Sequence, residues 1–316
     1  MPFELDDKVV EKKIVVYPKI KYAIITALYD DEFEQLARYF DFPKSRQIKT
    51  ATKIFYRGYF KKDNNIEVVA AIPNATGMVD SSILATQMLE YFRPDYLLMS
   101  GVCGGSSELN FGDIVVAKQI YTFQKGKLSD IKRKNESGEM VLIDLFTIDG
   151  LKIDPGKLYD NEGHQVVLSV EKFEIEHDSV IELDSLIEDT LKPHINEIKD
   201  EINAVIRSEQ YIQRDLNIEI NLEPIACSTM VINRQGLFED TIRGVHRKVA
   251  AVEMESYGVA RSCRFANNGL TKPLIFKSVM DKTTNKADVS QGFNCKKFAA
   301  HTSAMFMNSI FERGII

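Results

Sequence analysis

Apolar positions along the chain alternate between strand-like and helix-like rhythms. KYAIITAL (21–28) is a short run rich in Ile and Ala that predicts a strand, and DDEFEQLARYF after it repeats Phe33, Leu36, Ala37 and Phe40 at helical spacing. TKIFYRGYF and IEVVAAI predict an antiparallel pair across the polar turn KKDNN (61–65), and SSILATQMLEYF predicts an amphipathic helix stopped by Pro94. YLLMSGV (96–102) is apolar without alternation, which suits a central strand covered on both faces; GGSS is expected to break it before FGDIVVAKQIYTF resumes. Up to about residue 123 the order is β-α-β-β-α-β-β.

From about 124 to 175, KGK, KRKNESGE, DPGK and DNEGH separate short apolar pieces, so this stretch reads as an insertion of turns and hairpins. A long helical pattern follows at about 183–208, then strand-like INLEPIACS, a polar turn-rich stretch, VAAVEM, a helix from Glu255 to about Ala266, the apolar run PLIFKSVM, and a closing helix from about Cys295 to Phe311. The alternation predicts an α/β fold: a single three-layer α/β/α domain over 21–316 with a central mixed β-sheet and ligand chemistry at strand ends, preceded by a polar N-terminal extension at 1–20.

Charge and cysteine content narrow the functional classes. With 40 Lys+Arg against 46 Asp+Glu the chain carries −6, so bulk charge does not favour nucleic acid as a partner. Cys103, Cys227, Cys263 and Cys295 are scattered singly with no C-x-x-C, which reads as reduced thiols in the cytoplasm and gives no metal site. The first residues lack the apolar core of a secretion signal, and no apolar run approaches the ~20 residues needed to cross a bilayer, so no membrane association is expected.

Four stretches place small or acidic residues where a strand finishes. MSGVCGGSS (99–107) holds Gly101, Gly104 and Gly105 around Val102 and Cys103, where backbone amides can approach a ligand; a plain turn is the ordinary alternative, because neither G-x-G-x-x-G nor G-K-[ST] is present. VAAVEMES (249–256) sets Glu253 and Glu255 at i, i+2 with Met254 between them at a strand-to-helix junction, where a glutamate can also simply favour a helix start. FKSVMDKTT ends an apolar strand with Asp281, either a cap or a proton donor. ITALYDDEFEQL offers Asp30, Asp31 and Glu32 after the first strand, where capping is the usual role.

In combination and in this order, YAIITALYDDEFEQL, IPNATGMVDSSILATQMLEYFRPDYLLMSGVCGG, FGDIVVAKQIYTF, VAAVEMESYGVA and LIFKSVMDKTT resemble the nucleoside phosphorylase and nucleosidase superfamily over roughly 21–123 and 225–312. TGMVDSS, FRPDYLLMSGVCGG and HRKVAAVEMESYGVARSCR are more narrowly similar to phosphorylase-type effector domains of bacterial signalling and phage-defence proteins. The resemblance implies cleavage of a purine N-glycosidic bond through an oxocarbenium-like sugar, which needs one group to protonate the base and another to deliver a nucleophile. By resemblance Asp281 is the acid at purine N7, Glu32 the water-activating base with Asp31 as the alternative, and Glu255 the acceptor for the ribose hydroxyls. Met254 would pack beneath the sugar with support from Glu253, and Val231 and Ile232 would form the wall for the base.

The family's phosphorylases normally carry an Arg before the glycine segment and a Ser within it; here those positions are Met99 and Val102, which cannot donate a side-chain hydrogen bond to phosphate. Lys277 stands where nucleosidases commonly have Arg. Hydrolysis is therefore expected, with phosphorolysis and a non-catalytic nucleoside-binding sensor as alternatives. A nucleotide such as ATP would require cations beyond the sugar, for which Arg46, Lys49, Lys53 and Arg57, or Arg234, Arg243, His246, Arg247 and Lys248, are the candidates, although such runs are more often solvated faces. The resemblance further implies a homo-oligomer, dimer or hexamer, and chemistry that needs no cofactor or metal.

Overall fold

The computed structural model describes residues 17–130, 132–134, 137–138, 140–142, 147–148, 151–152, 171–175, 180–209, 216–233, 236–283 and 294–316. Most of the expected N-terminal extension lies outside these residues. The chain falls into two compact units, one of Met1–Thr122 with Val180–Ile316, the other Phe123–Ser179. In the smaller unit Gly126–Asp130 pairs antiparallel with Glu171–Ile175, Lys132–Lys134 with Met140–Leu142, and Thr147–Ile148 with Leu151–Lys152.

The larger unit is built on one mixed sheet, with eleven strands among the described residues. In chain order they are β1 (Tyr22–Ile25), β2 (Phe40–Asp41), β3 (Gln47–Lys49), β4 (Ile54–Phe60), β5 (Asp63–Ala71), β6 (Tyr96–Gly105), β7 (Ile114–Thr122), β8 (Val180–Glu182), β9 (Ile220–Cys227), β10 (Ala251–Glu253) and β11 (Lys272–Asp281). The helices are α1 (Met78–Phe92), α2 (Ser185–Leu191), α3 (Ile195–Ser208), α4 (Ser256–Phe265) and α5 (Cys295–Glu312). β1 lies between β5 and β6, parallel to both, and its residues alternate between two cores. Ala23 and Ile25 join Leu84, Met88 of α1 and Val259, Cys263 of α4; Tyr22 and Ile24 join Ile202 of α3 and Phe306, Ile310 of α5. The central mixed sheet with helices on both faces is the fold expected from the alternation.

At one side the sheet closes on itself. β6 pairs with β11, β11 with β7, β7 with β9, β9 with β10, and β10 returns to β6. Five strands thus form a ring with no free edge between them.

Several local expectations change. The glycine segment does not break its strand: β6 continues through Gly101, Gly104 and Gly105, because β10 and β11 pair with it there and supply the hydrogen bonds that a turn would otherwise provide. After β1, the helical spacing of Phe33 and Leu36 yields only a π-type turn (Tyr29–Phe33) and a single α-turn (Glu34–Leu36), while Phe40 belongs to β2. The hairpin between β4 and β5 is tighter than the polar run suggests, since β5 already starts at Asp63. The 183–208 pattern is two helices separated by a 3-10 turn at Lys192–His194, where Pro193 lacks the N–H that a continuous helix requires.

Candidate active site

A cavity of about 220 Å³ opens at the ends of the ring strands. Its walls bring together Glu32, Val102, Cys103, Gly104, Val231, Ile232, Glu253, Met254 and Glu255, positions more than 220 residues apart in the chain. Ala27, Leu28, Thr76, Met230, Val252, Met280, Thr283 and Lys296 complete it, none of which stands out in the sequence. Lys296 could not be foreseen, because its approach depends on where α5 begins after the strand it follows.

Glu32 is buried, with its carboxylate in a nest of amides. Oε2 accepts from the N–H of Ala27 at 2.6 Å and of Leu28 at 3.1 Å, while Oε1 accepts from Val102 N–H at 3.0 Å. Gly101 makes this possible: a Cβ there would lie 2.5 Å from Glu32 Oε1. Burial raises the pKa of Glu32 above the ordinary glutamate range, against the nearby Lys277 charge and the three amides. Asp31 is not itself a wall residue; it forms an ion pair with the wall residue Lys296, Nζ at 2.7 Å. The π-type turn is what separates the two acids.

Glu253 and Glu255 reach the cavity from the β10–α4 junction. Glu253 takes up the helix-start role: its carboxylate accepts from the N–H groups of Glu255 and Ser256, each at 3.0 Å, and from the Ser256 hydroxyl. Glu255 Oε1 accepts from Gly77 N–H at 3.0 Å, which ties α4 to the turn ahead of α1. Lys277 is wholly buried, with Nζ 3.3 Å from Glu253 Oε2 and 3.6 Å from Glu255 Oε2. Burial alone would lower the lysine pKa, but Glu253, Glu255 and Glu32 together outweigh it and raise it. Burial also pushes the pKa of Glu255 up, to about 7, the lysine opposing and the neighbouring glutamates adding to the shift. Lys277 stands behind the cavity wall rather than on it.

Asp281, the last residue of β11, is buried. Its Oδ1 accepts from Thr283 N–H at 2.8 Å and would lie 3.1 Å from a Cβ on Gly104. Asp281 is not itself a wall residue; Gly104 and Thr283, which flank its carboxyl, both are. Thr283 holds φ at 61°, an unusual conformation for a β-branched residue that aims its amide back at Asp281. Met99 lies in the buried core away from the cavity, and Val102 faces it with an apolar side chain.

Among the described residues, neither basic run lines this cavity. Arg46 and Arg57 both pair with Glu67, and Arg243 pairs with Glu108 and Glu239. Lys49 and Arg247 are exposed, His246 and Lys248 line a separate hollow, and Arg234 lies outside the described residues. Among the described residues no group of three or more His, Cys, Asp or Glu is placed to hold a metal ion, and no helix is long and apolar enough to cross a membrane.

Known proteins share this arrangement of strands. The model of the family described as the phosphorylase superfamily matches residues 21–313. A 5′-methylthioadenosine/S-adenosylhomocysteine nucleosidase of Maridesulfovibrio salexigens is 33% identical over 102 residues, covering 32% of this chain and 41% of that protein. Its counterpart in Chromohalobacter salexigens is 32% identical over 101 residues, 32% of this chain and 40% of its own length. These matches span about two fifths of the curated relatives. Among solved structures, the nucleosidase of the same name from Neisseria meningitidis, in complex with methylthio-immucillin-A, has a TM-score of 0.59 at 19% identity over 92% of this chain and 98% of its own. Futalosine hydrolase of Helicobacter pylori has a TM-score of 0.57 at 19% identity, covering 93% and 98%. At such identities the structures speak for the fold, and the family model spans nearly the whole chain: the chain belongs to the phosphorylase superfamily.

Proposed function

We propose that this protein is a purine N-ribosyl hydrolase that cleaves the N-glycosidic bond of an adenine nucleoside or nucleotide. The observation that carries this reading is the meeting of Glu32 and Glu255 on the walls of one cavity, with the carboxyl of Asp281 between two further wall residues. Water held at Glu32 attacks C1′ and gives its proton to that carboxylate, whose burial makes it a stronger base than an exposed glutamate. The C1′–N9 electron pair leaves with the purine as Asp281 protonates N7. Glu255 accepts from the ribose hydroxyls, Met254 packs beneath the sugar, and Val231 and Ile232 flank the base. The products are free base and ribose or ribose phosphate. Relatives named as nucleosidases support this assignment.

Charge favours water over phosphate as the nucleophile. The two lysines near the cavity are already engaged, Lys277 by Glu253 and Glu255 and Lys296 by Asp31, so an arriving phosphate dianion would find three wall glutamates and no uncommitted cation among the described residues. The Val102 amide that could greet an anion is already donated to Glu32. Free adenine should therefore be released from at least one of adenosine, methylthioadenosine, AMP and ATP, at a rate indifferent to added inorganic phosphate. Chromatography of the base decides it: strict dependence on phosphate would make the protein a phosphorylase, and silence towards every compound would leave the sensor reading.

The resemblance to defence effectors extends the proposal to destruction of an adenine nucleotide, ATP included, during antiviral defence. Assembly as a homo-oligomer belongs to the same reading. It is supported by Val79 and Ile83, one turn apart on α1 and 68% and 55% exposed, which place an apolar stripe on the surface. Light scattering should return a mass of two or more chains, and Ile83→Glu should lower it. A monomer at micromolar concentration would remove that part of the proposal.

A further inference from the structure

A second, more open cavity of about 490 Å³ lies beside the first, and its lining combines Ile54, Ile72 and Pro73 with threonine, tyrosine and asparagine side chains and the cation Lys53. The two share neighbouring chain segments: Leu28 and Thr76 wall the first, Tyr29 and Asn74 the second. If the purine sits by Val231 and Asp281, the hydroxyls at Glu255 and the attacked carbon at Glu32, the one substituent of the nucleoside still unplaced is the group on C5′. Glu255 is tied to Gly77, so the sugar hydroxyls lie against the same 73–77 segment that opens into the second cavity.

We propose that this second cavity holds the phosphoryl groups of an adenine nucleotide whose nucleoside part fills the first, with Lys53 as the countercharge that separates nucleotide from nucleoside. The inference rests on the hydrolase reading for the placement of the sugar. Among the basic side chains of its run, Lys53 is the one set on this cavity and kept available. Arg46 and Arg57 are both engaged by Glu67, whereas Lys53 Nζ donates to a neutral acceptor, Asn74 Oδ1, at 2.8 Å and forms no ion pair among the described residues. Its backbone is fixed by Thr50, whose N–H donates to Lys53 O at 2.8 Å and whose Oγ1 accepts from Lys53 N–H at 2.9 Å. Burial lowers the lysine pKa, with the Asp80 charge opposing, a state that an incoming anion relieves. Thr52 lines the same hollow and brings a hydroxyl suited to phosphoryl oxygens, while the Thr50 hydroxyl is donated to Lys53 O at 3.1 Å and serves the loop itself.

The test is selectivity. Adenine release by the full chain is measured on adenosine, AMP and ATP for the wild type, Lys53→Met and Lys53→Arg. The wild type should prefer a phosphorylated substrate by kcat/KM. Lys53→Met should lose about tenfold or more on that substrate with adenosine unchanged, as expected for one charge-assisted contact, and Lys53→Arg should keep most of the preference. AMP and ATP separate a site for one phosphoryl group from one for a chain of them. An equal loss on all three compounds, or a wild type that prefers adenosine, would overturn the inference. Should nothing be hydrolysed, the hydrolase reading falls; the affinities of wild type and Lys53→Met for adenosine and ATP by calorimetry then still decide, a shared affinity overturning the site and a loss confined to ATP supporting it.

Discussion

Glu32→Ala should lower kcat by about 10³-fold on whichever purine compound is turned over, within the range a positioned general base contributes. The alanine removes the one cavity carboxylate held by three backbone amides, at Ala27, Leu28 and Val102, and lets solvent take over those donors. Because the cavity is open to water, the amides need not go unpaired, and the melting temperature should move little. Glutamine is a poorer probe: both carboxylate oxygens receive N–H groups, so its amide nitrogen would face a donor on either side. The acid limb of kcat/KM gives an independent check. A base must be deprotonated to act, and burial raises Glu32 above the usual glutamate range, so the rate should fall with decreasing pH at a value above that of an exposed carboxyl. A variant with unchanged kcat and a weakened KM would show that Glu32 binds rather than activates.

Lys277→Met should destabilise the fold by about 3–5 kcal/mol, the usual result of stripping one partner from a buried ion pair. Lys277 has no exposed surface and stands against Glu253 and Glu255, with Glu32 close enough to add to their field. Methionine fills the aliphatic volume but leaves the buried carboxylates facing one another without their shared cation. The sign with pH follows. Without the lysine, a buried glutamate is pushed further above its unfolded value, so the folded state binds a proton that the unfolded chain releases, and stability is lost as pH rises from the unfolded to the folded pKa. Urea unfolding of wild type and variant at pH 5 and pH 8 should show the larger gap at pH 8. An equal gap at both would mean that lost packing, not lost charge, is responsible.

The longer strands and the acids at their ends were legible in the sequence because both follow from local rules. A continuous apolar run marks β6, and an apolar strand ending in an acid marks β11 and Asp281. What escaped depends on distant partners. Gly101, Gly104 and Gly105 look like a turn, and nothing near them in the chain shows that Glu32, Thr283 and Val279 occupy the space that side chains there would fill. Lys277 reads as a cation near the sugar, yet its charge is spent on Glu253 and Glu255. Within the first basic run the spacing treats four residues alike; only the fold shows that Glu67 claims two of them and leaves Lys53 facing a cavity.

The ring of strands also governs when the protein can act. The glycine end of β6, beyond the part paired with β1, takes its partners from residues 251–252 and 272–281, so a chain still being synthesised has its glycine strand and Glu32 long before the segments that confine them. Contacts between such remote stretches form late. A nascent polypeptide on the ribosome therefore carries no assembled site until the chain through Asp281 has emerged and folded back onto that strand.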